Sequence, residues 1–418
     1  MLQLLGILIF VVGLAVSIGL HELGHMIPAK KFGVRVSQYF VGFGPTLWSR
    51  QGKETEYGVK AIPLGGFVRI VGMIPPEEAV KPVKMRGRIG EIIADARSAS
   101  VDEVLEGEDY RAFYHLSWWR KVVVMFGGPF VNLVLAVLLF TFVQVGVGLP
   151  TTNHTVSQVA ACVPATSATE CTASDPASPA SIAGLQEGDI ITAIDDEPVA
   201  AWTDLTAALA TRPGQPVAIT VDRNGEVLVL TTTLAAVDNN GTTVGYLGFY
   251  PGTDLVRQGP LSGVETTWNY TGAVFNTIAT LPVQIYHTTR AMLGIEERST
   301  SSIMGVVGVG RISGDIVSAQ VEGYSAKLKM ADMLNLLAGL NLALFAFNMI
   351  PLVPLDGGHI ASALWQGIKN GWARLRRLPK PRYVDVARMM PLAYGVFGLL
   401  IVMGAILVIA DIVAPVSI

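Results

Sequence analysis

Gly19-Leu20-His21-Glu22-Leu23-Gly24-His25 follows directly on Leu4–Ile18, a run that is nearly all aliphatic. Ionisable groups are costly at membrane depth, and where they occur they mark a functional site by default. Residues four apart share one face of a helix, so His21 and His25 can grip a single metal ion. Glu22, beside His21, is then placed to act as a base towards a water polarised by that metal. The expectation is a zinc site inside an apolar, membrane-spanning helix.

The rest of the chain is consistent with a membrane protein. Its 418 residues have a mean hydropathy of +0.47 and are only 15% charged. Four stretches are long and apolar enough to span a bilayer, which takes ~20 residues: Leu4–Ile27, Val122–Leu149, Met333–Ile350 and Leu392–Val413. Tyr270–Leu293 is a weaker fifth stretch. Its Asn276, Gln284, His287 and Arg290 read better as an amphipathic surface helix. The first span lacks a basic leader and a small-residue cleavage site, so it reads as retained rather than as a signal peptide. Net charge is −3 with no large basic block, which argues against a nucleic-acid partner.

Basic residues set the orientation. Lys30–Lys121 carries 15 Lys and Arg, Leu149–Met330 carries 8 over about twice the length, and Trp365–Pro391 carries 7. The first and third connections are therefore expected in the cytoplasm, with the long middle connection and both termini outside. Cys162 and Cys171 both fall in that outer segment, where an oxidising compartment permits a disulfide; two unpaired thiols are the alternative.

Within the outer segment, Leu149–Asp175 is polar and reads as loop. Ala183-Gly184-Leu185-Gln186-Glu187-Gly188-Asp189-Ile190 follows, then a short strand at Ile191–Ile194 and a helix at Trp202–Ala210. Two strands, Val217–Val221 and Val227–Leu230, flank Asn224-Gly225, a strong hairpin signal. The pattern resembles a bacterial PDZ domain, a module that binds extended peptides at a sheet edge. An ordinary small β domain is the alternative. On the cytoplasmic side, Tyr57–Ile70 alternates like a hairpin around a Pro-Leu-Gly-Gly bend. Gly65 and Gly66 would let another backbone approach closely there. Pro75–Tyr110 has mixed charge and helical composition and carries no chemical signal.

A catalytic zinc usually takes three protein ligands. The third span ends Asn348-Met349-Ile350-Pro351-Leu352-Val353-Pro354-Leu355-Asp356-Gly357-Gly358-His359. Pro351 cannot continue the helix, which puts Asp356 on an irregular loop. Such a loop at membrane depth must be buried in protein or line a cavity. Asp356 is the leading third ligand, and His359 is the alternative. Two rival classes, a scaffold presenting the outer domain and an ion transporter, leave the full His-Glu-x-x-His spacing unexplained.

Taken together, these motifs resemble the site-2 proteases, intramembrane zinc metalloproteases, and in particular their bacterial branch that cleaves anti-sigma factors. The box at His21–His25 is similar to the family's first motif, and Asn348-x-x-Pro351-x-x-Pro354-Leu355-Asp356-Gly357 to its second. Phe40–Pro45 and Pro63–Phe67 look like its cytoplasmic sheet and re-entrant loop, and Gly127-Gly128-Pro129-x-x-Asn132 like its second-span signature. The single PDZ-like pattern and the two outer cysteines look most like actinobacterial members. The resemblance implies one zinc ion on His21, His25 and Asp356, with Glu22 as catalytic base. It implies substrate contacts at Asn348, Pro351, Pro354, Leu355, Gly65 and Gly66. It also implies a location in the bacterial inner membrane, and a membrane-spanning substrate already cut by an upstream site-1-type protease.

The expected fold is a polytopic α-helical membrane protein with about four transmembrane helices, a small cytoplasmic β-hairpin or sheet and one extracytoplasmic PDZ domain. Residues 1–30 form the first span with the metal box and 31–119 a cytoplasmic region with the re-entrant hairpin. Residues 120–149 form the second span, 150–240 the PDZ domain with its preceding loop, and 241–330 an outer linker with the amphipathic helix. Residues 331–364 hold the third span and the Asp-Gly loop, 365–391 a basic cytoplasmic loop, and 392–414 the fourth span.

Overall fold

The computed structural model describes residues 1–81, 87–163, 171, 175–239, 242–299, 302–321 and 324–416. They divide into two compact units, Met1–Gly146 with Gly259–Ile418, and Val147–Gln258. In chain order the first unit begins with α1 (Leu2–Lys31), β1 (Val36–Gln51), β2 (Glu56–Ile70), α2 (Arg88–Asp102) and α3 (Trp118–Gly146). The second unit holds β3 (Leu149–Val159), α4 (Pro179–Ala183), β4 (Ile190–Ile194), β5 (Glu197–Pro198), α5 (Trp202–Ala210), β6 (Pro216–Arg223), β7 (Glu226–Thr233), β8 (Ala235–Asn239), β9 (Thr242–Tyr246) and β10 (Phe249–Val256). The first unit resumes with α6 (Ser262–Ala279), α7 (Leu281–Met292), α8 (Val306–Ser318), α9 (Ala326–Asn348), α10 (Asp356–Leu375) and α11 (Met390–Val413).

Among the described residues, four helices are long and apolar enough to cross a membrane: Leu2–Lys31, Trp118–Gly146, Ala326–Asn348 and Val386–Val413. The first unit packs these helices by small residues and by polar clamps. A Cβ on Gly24 would stand 2.4 Å from the Gly127 carbonyl oxygen, so α1 and α3 cross backbone to backbone. Pro28 lies inside α1 and has no N–H to return to the Gly24 carbonyl. That freed carbonyl is the group that faces Gly127. Asn341 on α9 donates to Ser17 Oγ on α1 at 2.9 Å. Asp411 on α11 accepts from the N–H groups of Gly305 and Gly308 at the start of α8 and pairs with Arg298 at 2.8 Å; both charged side chains are buried. A carboxylate at a helix N-terminus suits the helix dipole.

The sheet of β1 and β2 folds on itself. Val36–Val41 has partners on both sides, Gly66–Ile70 on one and Glu56–Val59 on the other. Among the described residues, Gly66–Ile70 thus has a sheet partner on one side only. Met26, Ala29, Val36, Ile70, Val124, Met125 and Ile360 form one buried cluster, which fastens this sheet to α1, α3 and α10.

In the second unit the sheet runs β10-β3-β4-β6-β7. Asn224 and Gly225 both take positive φ (55° and 89°), as the tight turn joining β6 to β7 requires. Val156, Leu185, Ile191, Ile194, Leu205, Ile219 and Leu234 fill its core. Cys162 and Cys171 are joined in a disulfide.

Four boundaries differ from those expected from the sequence. Leu149–Val159 is a strand, not part of a loop. Thr242–Val256 belongs to the second unit, not to a linker in 241–330, because β10 closes the sheet against β3 with Leu149 opposite Val256. Their polar, Pro- and Gly-containing sequences hide this pairing, which is fixed by partners about a hundred residues apart. The amphipathic stretch Tyr270–Leu293 is two helices, α6 and α7, because Pro282 at the start of α7 cannot extend α6. Asp356 does not sit within an irregular loop; it is the first residue of α10, which runs to Leu375 and takes in much of the expected 365–391 loop. Pro351 and Pro354 confine the irregular backbone to the residues before Asp356, and an acidic residue is favoured in a first helical turn.

One ion pair anchors the second unit. Asp189 is fully buried and accepts from Arg223 Nε at 2.7 Å and Nη2 at 2.8 Å, and from the Gln186 N–H. Burial alone would raise its pKa, but the guanidinium and the amide hold it below the ordinary carboxylate value. A folded pKa below the unfolded one stabilises above the unfolded pKa, ~3.9, and the contribution is lost as pH falls through the folded value. The protection factors of the β4 amides in the full chain, relative to the unfolded-chain rate at the same pH, should therefore be high at pH 7 and fall below pH ~4. Asp189→Asn should lower that protection already at pH 7, because it removes the charge that Arg223 and the Gln186 N–H hold. Equal protection in the variant would show that the pair is not an anchor.

Candidate metal centre and active site

His21 and His25 lie one turn apart on α1, and both are buried. Their Nε2 atoms are 3.2 Å apart, and each is 3.3 Å from Oδ2 of Asp356. Among the described residues these three make the one group of His, Cys, Asp or Glu side chains close enough to share a metal ion. A tetrahedral zinc with bonds of ~2.0–2.1 Å has ligand atoms ~3.3–3.4 Å apart, so the triangle is the size zinc requires. Asp356 Oδ2 is buried without a hydrogen-bond partner, as a metal-directed oxygen would be. The donor set, two imidazoles and one carboxylate, is also a zinc set.

The room for an ion comes from α3. A Cβ on Gly128 would lie 2.2 Å from His25 Nε2 and 2.8 Å from His21 Cε1. Only glycine at this point of the α1–α3 crossing leaves the imidazoles where they stand. The same helix holds the far side of each ring: His25 Nδ1 is 2.8 Å from the Val124 carbonyl, and His21 Nδ1 is 3.1 Å from the Asn132 amide.

The triangle opens on a cavity of about 420 Å³, lined among others by Glu22, Gly65, Gly66, Val68, Asn132, Asn348, Pro354 and His359. Glu22, Gly65, Gly66, Asn348 and Pro354 are therefore brought to one space. Pro351 and Leu355 are not in its lining; Leu355 instead caps the start of α10. His359 borders the cavity but stands outside the metal triangle. Gly66 approaches α1 closely, since a Cβ there would be 3.3 Å from Glu22 Cγ. Gly65 takes φ +131° directly beneath the Phe43 ring, a place for glycine alone. Gly128 and Val68 are not among the site residues expected from the sequence, although Gly128 falls in the Gly127–Asn132 stretch and Val68 in the Tyr57–Ile70 hairpin noted there.

Residues 9–393 match peptidase family M50. The chain belongs to this family. It is 32% identical over 435 residues to the zinc metalloprotease Rip1 of Mycobacterium tuberculosis H37Rv, covering 100% of this chain and 99% of that one. It is 27% identical to the metalloprotease MmpA of Caulobacter vibrioides, covering 86% of each. It is 26% identical to the regulator of sigma-E protease RseP of Escherichia coli K12, covering 87% of this chain and 90% of that one. This M50 member is thus a zinc metallopeptidase of the site-2 protease family, and with its four apolar helices an integral membrane protein.

Gly128→Ala separates helix stability from metal fit. In a helix interior alanine is favoured over glycine by ~1 kcal/mol, so α3 itself gains. Zinc should nevertheless be lost, because the new methyl group takes the space beside His25 Nε2. Zinc content of the purified variant, by elemental analysis, checks this; one zinc per chain would show that the imidazoles can yield.

Proposed function

We propose that this chain hydrolyses a peptide bond within or near the membrane-spanning segment of single-pass membrane proteins, anti-sigma factors first among them. The observation that carries the reading is the metal triangle and Glu22 in one cavity, bordered by a strand with one unpaired edge. In this reading His21, His25 and Asp356 hold the zinc. Bound there, the ion would supply Lewis-acid polarisation of the scissile carbonyl and of the attacking water. Glu22 takes the proton from that water and later delivers one to the leaving amine.

A spanning helix shields its carbonyls within its own hydrogen bonds, so the segment must be drawn out before attack. The Gly66–Ile70 edge, alongside Glu22, is suited to receive it by strand addition. Asn348, now hydrogen-bonded to the Leu344 carbonyl at 3.0 Å, faces the same cavity and can hold the substrate backbone. Pro351, Pro354 and Leu355 act indirectly, by ending α9 and starting α10 so that Asp356 meets the histidines.

The basic-residue pattern supports cytoplasmic first and third connections and extracytoplasmic termini in a bacterial inner membrane. The Val147–Gln258 unit then lies outside. Its Gly-Leu-x-x-Gly-Asp turn, its hairpin and its α5 support a PDZ domain. In regulated proteolysis such a unit would exclude substrates whose outer part is still whole, which imposes prior cleavage by another protease.

Purified enzyme should convert pre-trimmed, membrane-embedded anti-sigma factors to a cytoplasmic fragment, and Glu22→Gln should abolish the product. Failure of the wild type on every spanning substrate, with zinc bound, would sink the reading. Asp356→Asn should lose zinc that Glu22→Gln keeps, since only Asp356 reaches the donor triangle; equal zinc content in both would refute that division of roles. The outer unit can be removed between Leu149 and Val256, which lie opposite each other on β3 and β10. Exclusion predicts that untrimmed substrates then become cleavable. Loss of cleavage of short substrates would instead show peptide capture.

A further inference from the structure

Asn132 is fully buried in an apolar helix, and one end of its amide is unexplained. Its Nδ2 lies 3.1 Å from His21 Nδ1, while its Oδ1 is buried with no hydrogen-bond partner. That arrangement suits only one tautomer of His21, with Nδ1 bare and the proton on Nε2. But Nε2 is the atom that points at His25 and Asp356. A histidine that binds metal through Nε2 keeps its proton on Nδ1, and Nδ1–H then needs an acceptor. In the arrangement seen, Asn132 would meet it with a second donor.

An amide has two ends of nearly equal size and opposite hydrogen-bonding sense. Half a turn of the Asn132 amide places the unpartnered oxygen on His21 Nδ1. His25 already has such an acceptor on the same helix, the Val124 carbonyl at 2.8 Å from its Nδ1. A backbone carbonyl in α3 cannot turn; the Asn132 side chain can.

We propose that Asn132 is a positioning residue of the metal centre: its carbonyl accepts the Nδ1 proton of His21, fixes the tautomer that leaves Nε2 free to bind zinc, and holds the ring's orientation. Val124 and Asn132 are two helical turns apart on α3, so one helix sets both imidazoles from behind. Gly128, midway between them, leaves the space in front. The Gly127-Gly128-Pro129-x-x-Asn132 stretch is thereby a single device, with glycines for approach and an amide for orientation. This inference rests on His21 being a zinc ligand.

Zinc affinity of the full-length protein in detergent, titrated with zinc alone in a metal-buffered series, tests it without reference to catalysis. Wild type should bind one ion and His21→Ala should not; failure of that comparison would overturn the ligand assignment rather than the role of Asn132. Asn132→Leu should bind about 10–100-fold more weakly, the usual effect of removing such a partner. Asn132→Asp keeps an acceptor on Nδ1 and adds a charge that favours a metal-bound imidazole, so it should bind zinc at least as tightly as wild type. Gln144→Leu removes another buried amide from α3, one that bonds Thr266 instead, and should leave zinc affinity unchanged. The visible spectrum of the cobalt-substituted protein should change in Asn132→Leu and return in Asn132→Asp. Wild-type affinity in Asn132→Leu would overturn the proposal. So would an Asn132→Asp protein, folded by the same measure as Gln144→Leu, that binds as weakly as Asn132→Leu.

Discussion

Two imidazole nitrogens and a carboxylate oxygen meet within 3.3 Å of one another inside an apolar helical body. Left without a cation, such a cluster sets a carboxylate oxygen in a buried place with no hydrogen bond. A buried charge is tolerated only when it is paired or bound to metal. The surrounding structure serves that meeting. α1 supplies the two histidines at one-turn spacing, and the break after α9 delivers Asp356 at the first turn of α10. α3 crosses α1 so closely that no side chain comes between them.

The same constraint accounts for the glycines and prolines that would otherwise weaken the helices. Pro28 frees the Gly24 carbonyl at the crossing, Gly127 accepts its approach and Gly128 leaves the metal its room. Pro351 and Pro354 prevent α9 from running past the level of the histidines. Without these interruptions the spans would be longer and more regular, and Asp356 would not reach the imidazoles. The β1–β2 sheet is held to the same helices by the cluster around Met26, Val36, Ile70 and Ile360. Its one-sided strand is thereby kept against Glu22, so the two share one mount.

Much of this is legible in the sequence. Four apolar runs announce four helices, since length and hydropathy are local properties. The His21–His25 spacing fixes two donors on one helix face, because helical geometry relates residues four apart without reference to the rest of the chain. Asn224-Gly225 gave the hairpin for the same reason, a conformational demand met by two residues. Local patterns failed where partners were distant. Leu149–Val159 and Phe249–Val256 are polar enough to pass for loops, and only their mutual pairing makes them strands. The break between α6 and α7 was visible in Pro282 but outweighed by the amphipathic pattern on either side.

The sequence by itself determined that this is a membrane-embedded chain carrying a histidine pair, a glutamate beside it and an acidic residue after a proline-broken span. Those features depend on residue type and near-neighbour spacing. Which acidic or imidazole side chain joins the pair was decided only by the tertiary structure. Asp356 and His359 are a single turn apart, and both border the cavity, yet the start of α10 aims only Asp356 at the two Nε2 atoms. The direction of a side chain at a helix start depends on how that helix packs. The packing of α10 on α3, at the cluster shared by Val124, Met125 and Ile360, joins residues more than two hundred positions apart.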